Sequence, residues 1–499
     1  ATSFSSARAL MQVLPQHHSL EKISINSAQT ELIVQPRAIA DDPNLSCYKT
    51  VDDIYTIAGA WETGNPGFVE WIDIGDSWEK TQDSDTGYDI KVLVLTNQAI
   101  TDDKPVLFLM SGLQARELAP VELNLRFAEY LLENYGTDAD VTWLLDYREI
   151  HLLFVANPDG HEIVMNTGDS WKKNTNNYYC PGTDMRGADL FRNFPFQWES
   201  FSDTCSDIYP GLETPKEPET TAIIQHLFDI FPDQREGDEP VPLDIQNLFI
   251  DIHSYGEVIY WPYSYTSIPA PNHDQLKNLA YRLANLNHYL PLRVIDTPQD
   301  SIAGTPFDYV YGELGVTAYT IEVGSDMDGG YFTVCSAIEE SIIEKNIEAL
   351  IYSAKVADAP YQTPFGPNIV NLRVTSVLND NVPSLMITSS VSDLLEFDYS
   401  IYTQPIKSVR YSIDVPLWKA EEEDLRLILF PVDGAYDEKD EFIEEIIFAE
   451  PFSTESHILY MQGQDTTGQW GPVSAVYFAY EEPPPLEDDK LIFLPLIFK

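Results

Sequence analysis

Positive charge is scarce in this chain. Its 29 Lys and Arg residues stand against 80 Asp and Glu, a formal net charge of 29 − 80 = −51. A surface of that sign repels nucleic acid and anionic lipid, which excludes both as partners. It would attract cations or cationic peptides; more plainly, it serves solubility or adaptation to salty or acidic surroundings. Long hydrophobic runs are also missing. The longest, LIFLPLIF from Leu491 to Phe498, falls well short of the roughly 20 residues that a membrane-spanning helix needs. Cysteine is sparse, and the four present make an even count that fits two disulfides in an oxidising compartment. Three pairings are open. The preferred set joins Cys180 to Cys205 across a local loop and Cys47 to Cys335 across the main domain. The numbering starts at Ala1 without a Met, as expected of a chain trimmed by signal peptidase, so the expected location is secreted or cell-surface.

What is present describes a globular protein. The apolar fraction is 44% and the aromatic fraction 12%, with 499 residues to fill two or three domains. Residues 1–44 read as an N-terminal arm, Ser-rich at first and then alternating in ISINSAQTELIVQ. Over residues 45–358, apolar runs such as KVLVLT (Lys91–Thr96), VLFLM (Val106–Met110), HLLFV (His151–Val155), LFIDIH (Leu248–His253) and AYTIEV (Ala318–Val323) read as buried strands. Helical periods over Pro120–Asn134, Glu217–Phe231, Asp274–Leu286 and Ala337–Val356 alternate with them. The pattern predicts an α/β fold, a mixed and mostly parallel sheet flanked by helices. From about residue 364 to 480, short alternating segments punctuated by Pro, Asn, Asp and Gly predict a β-sandwich of immunoglobulin-like size. Residues 481–499 form a Pro-rich acidic linker and an apolar terminal strand.

Seven motifs fall in order along the main domain: GLQARELAP (Gly112–Pro120), NPDG (Asn157–Gly160), SWKKN (Ser170–Asn174), GADLFRNFPFQW (Gly187–Trp198), PET (Pro218–Thr220), DIHSY (Asp251–Tyr255) and YGELGVTAYTIEVG (Tyr311–Gly324). Together they resemble the zinc carboxypeptidases of the A and T type, over about residues 45–358. The resemblance to exported bacterial peptidases extends to the following module, in HILYMQGQDTTGQWGPVSAVYF (His457–Phe478). It implies a catalytic zinc with three protein ligands and one open position. Two ligand positions carry Glu117 and His253, but the first carries Gln114, and an amide oxygen is a poor zinc donor. The general base of the family matches Glu322. Arg116 and Arg192 match its substrate-binding arginines. The neighbouring Asn that helps hold the substrate carboxylate has become Phe191. The oxyanion-stabilising Arg has become Lys172, which keeps the charge and loses the planar fork. The mobile Tyr that closes over substrate falls on Asp300.

Four departures at once imply a degenerate site, with zinc absent or weakly bound. Without the dication, Lys172, Arg116, Arg192 and a protonated His253 are expected to neutralise Glu117, Glu322 and Asp300. Asp326, Asp328, Gly329 and Gly330 resemble part of a calcium loop without its full ligand spacing, and calcium remains a cofactor expectation without a definite place. Three functions follow. The first is a silent carboxypeptidase-like protein with a surface or structural role, assembling as a homopolymer or filament through its terminal strands. The second is an active metallocarboxypeptidase that releases C-terminal amino acids. The third is a silent module whose ligand is a peptide.

Overall fold

The computed structural model describes residues 38–481, except residues 236, 238, 298–300, 396–401, 429, 451 and 453. The N-terminal arm before residue 38, Asp300 and the terminal segment 482–499 lie outside the described residues. Eight strands form one sheet: β1 (Val69–Asp76), β2 (Asp89–Leu95), β3 (Val106–Ser111), β4 (Glu149–Leu153), β5 (Leu248–Ser254), β6 (Val258–Tyr260), β7 (Leu290–Leu292) and β8 (Thr317–Val323). Their order is β1-β2-β4-β3-β5-β8-β6-β7. The central four, β4, β3, β5 and β8, run parallel, while β1–β2, β2–β4 and β6–β8 pair antiparallel. This is the mixed, largely parallel sheet expected from the sequence.

The central strands are apolar runs because both faces are covered. Every residue of β3 and β5 is buried, as parallel strands sandwiched between helices require. The covering helices are α1 (Val51–Gly64), α2 (Leu118–Asn134), α3 (Ala139–Tyr147), α4 (Pro158–Thr167), α5 (Pro218–Ile230), α6 (His273–Asn287), α7 (Pro306–Leu314) and α8 (Lys345–Val356). The single helix read over Ala337–Val356 is interrupted: Ile338–Glu344 is a π-helical stretch that leads into α8. The strands β6 and β7, three residues each, carry too short a pattern to be read from the sequence.

Cys47 is bonded to Cys335, with Cα atoms 5.7 Å apart, tying the start of this domain to its last helical segment. Cys180 is bonded to Cys205 at 5.0 Å, closing the long loop beside the site.

After Thr363–Phe365, seven strands form two antiparallel sheets: β9 (Asn368–Asn379), β10 (Val382–Ser392), β11 (Ile406–Ile413), β12 (Arg426–Ile428), β13 (Asp440–Phe448), β14 (His457–Asp465) and β15 (Ser474–Phe478). The orders are β13-β10-β9 and β12-β11-β14-β15. Leu385, Ile387, Val391 and Ile443 of one sheet share a buried cluster with Val409, Tyr411, Leu459 and Met461 of the other. That alternation of buried and exposed positions is what a sandwich imposes on each strand.

The sandwich docks firmly on the helices. Arg282 of α6 meets Asp393 at 2.5 Å with both side chains fully buried. Its Nε donates to the Pro364 carbonyl, and Asp393 accepts from Gln404 N. Trp418 packs on Trp143 and Tyr147 at 5.2 Å, and Asp140 of α3 accepts from Ala475 N and Lys355.

Candidate functional site

The C-terminal ends of β3, β5 and β8 converge on a cluster of buried charges, the place where open parallel sheets hold their ligands. Gly112 turns the chain out of β3 at φ +67, where a Cβ would press Val121 and the Phe154 carbonyl at 3.0 and 3.2 Å. The tight turn that follows returns Glu117 N to the Gln114 carbonyl. Glu117 occupies the N-cap of α2 yet caps nothing. Its carboxylate instead accepts from His253 Nδ1 at 2.8 Å and from Ser254 N at 3.2 Å.

His253 lies near the end of β5, in register with Glu322 of β8. Its Nε2 is 2.7 Å from Asp251. Residues i and i+2 of a strand share a face, so that contact was implicit in DIHSY. Burial alone would push the His253 pKa down. The charges and hydrogen bonds of Asp251 and Glu117 overcome it and hold the imidazole well above its ordinary value. Glu322, partly buried, is pushed up to about 8, first by desolvation and then by the Glu117 charge.

The second wall comes from two loop segments pinned together. Asn157 caps α4 through Gly160 N, and its amide nitrogen donates to the Lys173 and Leu113 carbonyls. Ala115 N donates to the Lys172 carbonyl, which sets Lys172 beside the Gln114 turn. Asn174 is held by Glu217 and Glu219 at 2.7 and 3.0 Å. Burial is the chief cause that raises Glu219 to about 8, and the Glu217 charge adds to it.

Lys172 donates to Asp189 at 2.7 Å, a fully buried carboxylate that also faces Arg192 Nε at 3.4 Å. The expectation that Lys172 would counter Glu117 and Glu322 thus meets a nearer partner: Lys172 and Arg192 converge on Asp189. Phe191 lays its ring edge-on against the His253 imidazole, centroids 4.7 Å apart. Arg116 stacks on Tyr331 at 4.1 Å and pairs with Asp207 at 3.6 Å.

So the structure gathers Arg116, Glu117, Lys172, Phe191, Arg192, His253 and Glu322 into one neighbourhood, with the Gln114 turn beside it. It adds Asp189, Asp251 and Tyr331, to which sequence reasoning assigned no role. Asp189 lies inside GADLFRNF, three residues before Arg192. Tyr331, whose phenol is pushed up to about 12 by burial and by the Glu117 and Glu322 charges against Arg116, comes from a loop with no sequence signal. Asp328, from the suspected calcium loop, accepts from Ser325 N, Ser325 Oγ and Ser341 Oγ, and so caps its own turn.

The model of the zinc carboxypeptidase family matches residues 54–348. The chain belongs to that family. Mouse carboxypeptidase A1 is 28% identical over 341 residues, covering 66% of this chain and 72% of the mouse protein. Rat carboxypeptidase A1 is 26% identical over 376 residues, covering 72% and 84%. Among solved structures, the carboxypeptidase A of Helicoverpa armigera matches with a TM-score of 0.53 at 24% identity, covering 64% of this chain and 78% of that one. That likeness carries the fold alone.

The donor set of this zinc carboxypeptidase family member does not fit the metal that gives the family its name. Among the described residues no group of three His, Cys, Asp or Glu side chains is arranged to hold a metal ion. The cluster brings together one imidazole, His253, with the carboxylates Glu117, Asp251 and Glu322, while the turn before Glu117 offers only the amide of Gln114. A catalytic zinc takes three N, S or carboxylate donors, and a neutral amide oxygen is a weak substitute for imidazole.

Proposed function

We propose that this chain is a catalytically silent member of the zinc carboxypeptidase family, exported and retained as a surface or structural component. One observation carries the reading: Gln114 opens the turn that presents Glu117 to His253, so the cluster has one imidazole where hydrolysis needs a complete donor set. Its surroundings agree. Lys172 is committed to Asp189, and the Phe191 ring lies against His253, where the family's substrate clamp has an amide. Two disulfides suit an oxidising compartment, and no helix among the described residues is long and apolar enough to cross a membrane. The test is metal analysis of the purified chain, paired with an assay for release of C-terminal amino acids from peptides. Substoichiometric zinc and no chelator-sensitive release are expected. Stoichiometric zinc with chelator-sensitive trimming would overturn the reading in favour of an active metallocarboxypeptidase.

A second reading, a silent peptide binder, rests on Arg192. Its guanidinium shares Asp189 with Lys172, its side chain is 22% exposed, and its Nε has no hydrogen bond among the described residues. That leaves part of the guanidinium exposed, chemically suited to a peptide carboxylate. Micromolar binding of peptides with a free C-terminus, lost in Arg192→Ala, would support it; no binding by the native chain would dismiss it.

A further inference from the structure

The sandwich carries a flat, partly apolar edge strand guarded only by acidic side chains. β13 lies at the rim of its three-stranded sheet. Its outward side chains Phe442, Ile446 and Phe448 are 50%, 42% and 68% exposed. Its register with β10 runs from Ser384↔Phe448 to Ser392↔Asp440 without a bulge, and its sequence DEFIEEIIF has no Lys and no Pro. Edge strands of soluble proteins are often blunted by a bulge, Lys or Pro; here the guards are Asp440, Glu444, Glu445 and the buried Glu441, acids that a basic partner strand would neutralise.

The open side of the strand can be identified. Val432 N donates to the Phe442 carbonyl, so residue 442 turns its backbone groups toward the rim. Alternation then turns those of Glu444, Ile446 and Phe448 the same way. Among the described residues no strand pairs along that side. Past the crossing at Val432, the exposed side chains of Val432 and Phe430 continue the apolar surface.

We infer that this edge is completed by the chain's own terminal segment KLIFLPLIFK (Lys490–Lys499), added antiparallel beside β13. Composition is the first argument: seven of its ten residues are Leu, Ile or Phe. Charge is the second. The segment carries a Lys at each end and no acid, whereas β13 and its flank carry Asp440, Glu441, Glu444, Glu445 and Glu450.

Reach is the third. Glu481 N donates to Ser376 Oγ on β9, and Ser376 is level with Leu385 of β10 and hence with Ile447 of β13. The tail therefore sets out at the Phe448 end, where an antiparallel strand would begin. It must cross about three strand spacings, roughly 14 Å. Residues 482–489 are eight in number and Pro-rich, enough to span roughly 25 Å at the rise of a Pro-rich chain. A tether that spans its site gives an effective concentration in the millimolar range, which favours the same chain over a second copy. β9, although nearer, is a poorer host. Asn371 breaks its extended course at φ +55, and its register with β10 shifts at Thr388/Ser390.

Proline sets the phase. Pro495 has no N–H, so its nitrogen faces away from β13. Residues 492, 494 and 496 then supply the hydrogen bonds.

Hydrogen exchange of the full chain is the test, against a chain ending at Asp489. The amides of Glu444, Ile446 and Phe448 should exchange about tenfold or more slowly in the full chain. Leu494→Pro removes an inward donor and should abolish that protection, whereas Phe493→Pro changes an outward position and should keep it. Protection that is unchanged on dilution supports pairing within one chain. Equal exchange with and without the tail, equal damage by the two proline variants, or protection lost on dilution (a second copy as host) would each overturn the inference.

Discussion

Two buried charge clusters in this protein are built on opposite plans. At the junction of the domains, Arg282 and Asp393 are both anchored to backbone groups besides each other: the Pro364 carbonyl on one side, Gln404 N on the other. In the cleft, charges hold mainly one another, Glu117 to His253 to Asp251 and Lys172 to Asp189 to Arg192. Several atoms are left over there: Asp251 Oδ1, Asp189 Oδ1, Ser254 Oγ, Arg116 Nε and Arg192 Nε are buried without a hydrogen bond. The junction leaves one such atom, Arg282 Nη1. Buried polar atoms left without partners in that number are what a ligand site presents.

Breaking the junction should have the largest effect. Arg282→Ala strands a buried carboxylate and should cost about 3–5 kcal/mol in denaturant unfolding. A loss below about 1 kcal/mol would show that the junction is not structural in the sense argued here.

Next comes a buried group outside both clusters. His226, 3.1 Å from His151, is lowered to about 4, chiefly by burial and then by the His151 charge. The unfolded chain therefore takes up its proton more readily than the folded one. Stability should fall as pH drops from about 6.5 toward about 4, by roughly 3 kcal/mol from this group. Unfolding measured across that range should show a flatter slope in His226→Gln, and an unchanged slope would contradict the assignment.

Completing the cleft's donor set should have a comparable effect, in the direction of gain. Gln114→His should raise zinc affinity by about 100-fold or more, roughly 2.7 kcal/mol, as titration against a competing chelator would measure. Equal affinity in both proteins would mean that position 114 does not face the metal.

The smallest effect should come from Arg192. Its replacement by Ala should change stability by less than about 1 kcal/mol, since its ion pair is long and shared. A larger loss would move Arg192 to the structural side of the comparison.

Much of this was legible in the sequence because it rests on local pattern. The apolar runs of β3, β5 and β8 announced strands covered on both faces, and seven motifs in order announced the family. The lone imidazole of DIHSY and the amide of GLQARE could be read directly. Asp251 was also within reach, two residues from His253 on the same strand face. Other features had no local sign. The pairing of Lys172 with Asp189 depends on two loops that Asn174 joins, its N donating to the Ala188 carbonyl and its Oδ1 accepting from Ala188 N. Tyr331 reaches Arg116 across 215 residues of chain.

Composition and periodicity by themselves determined the acidic surface, the parallel core and the change of texture after residue 364, because burial and solvation act on each residue where it stands. Only the tertiary structure decided which charge neutralises which, and which edge of the sandwich stays open. Those outcomes depend on distances between segments remote in sequence, and a few ångströms settle whether two side chains become partners.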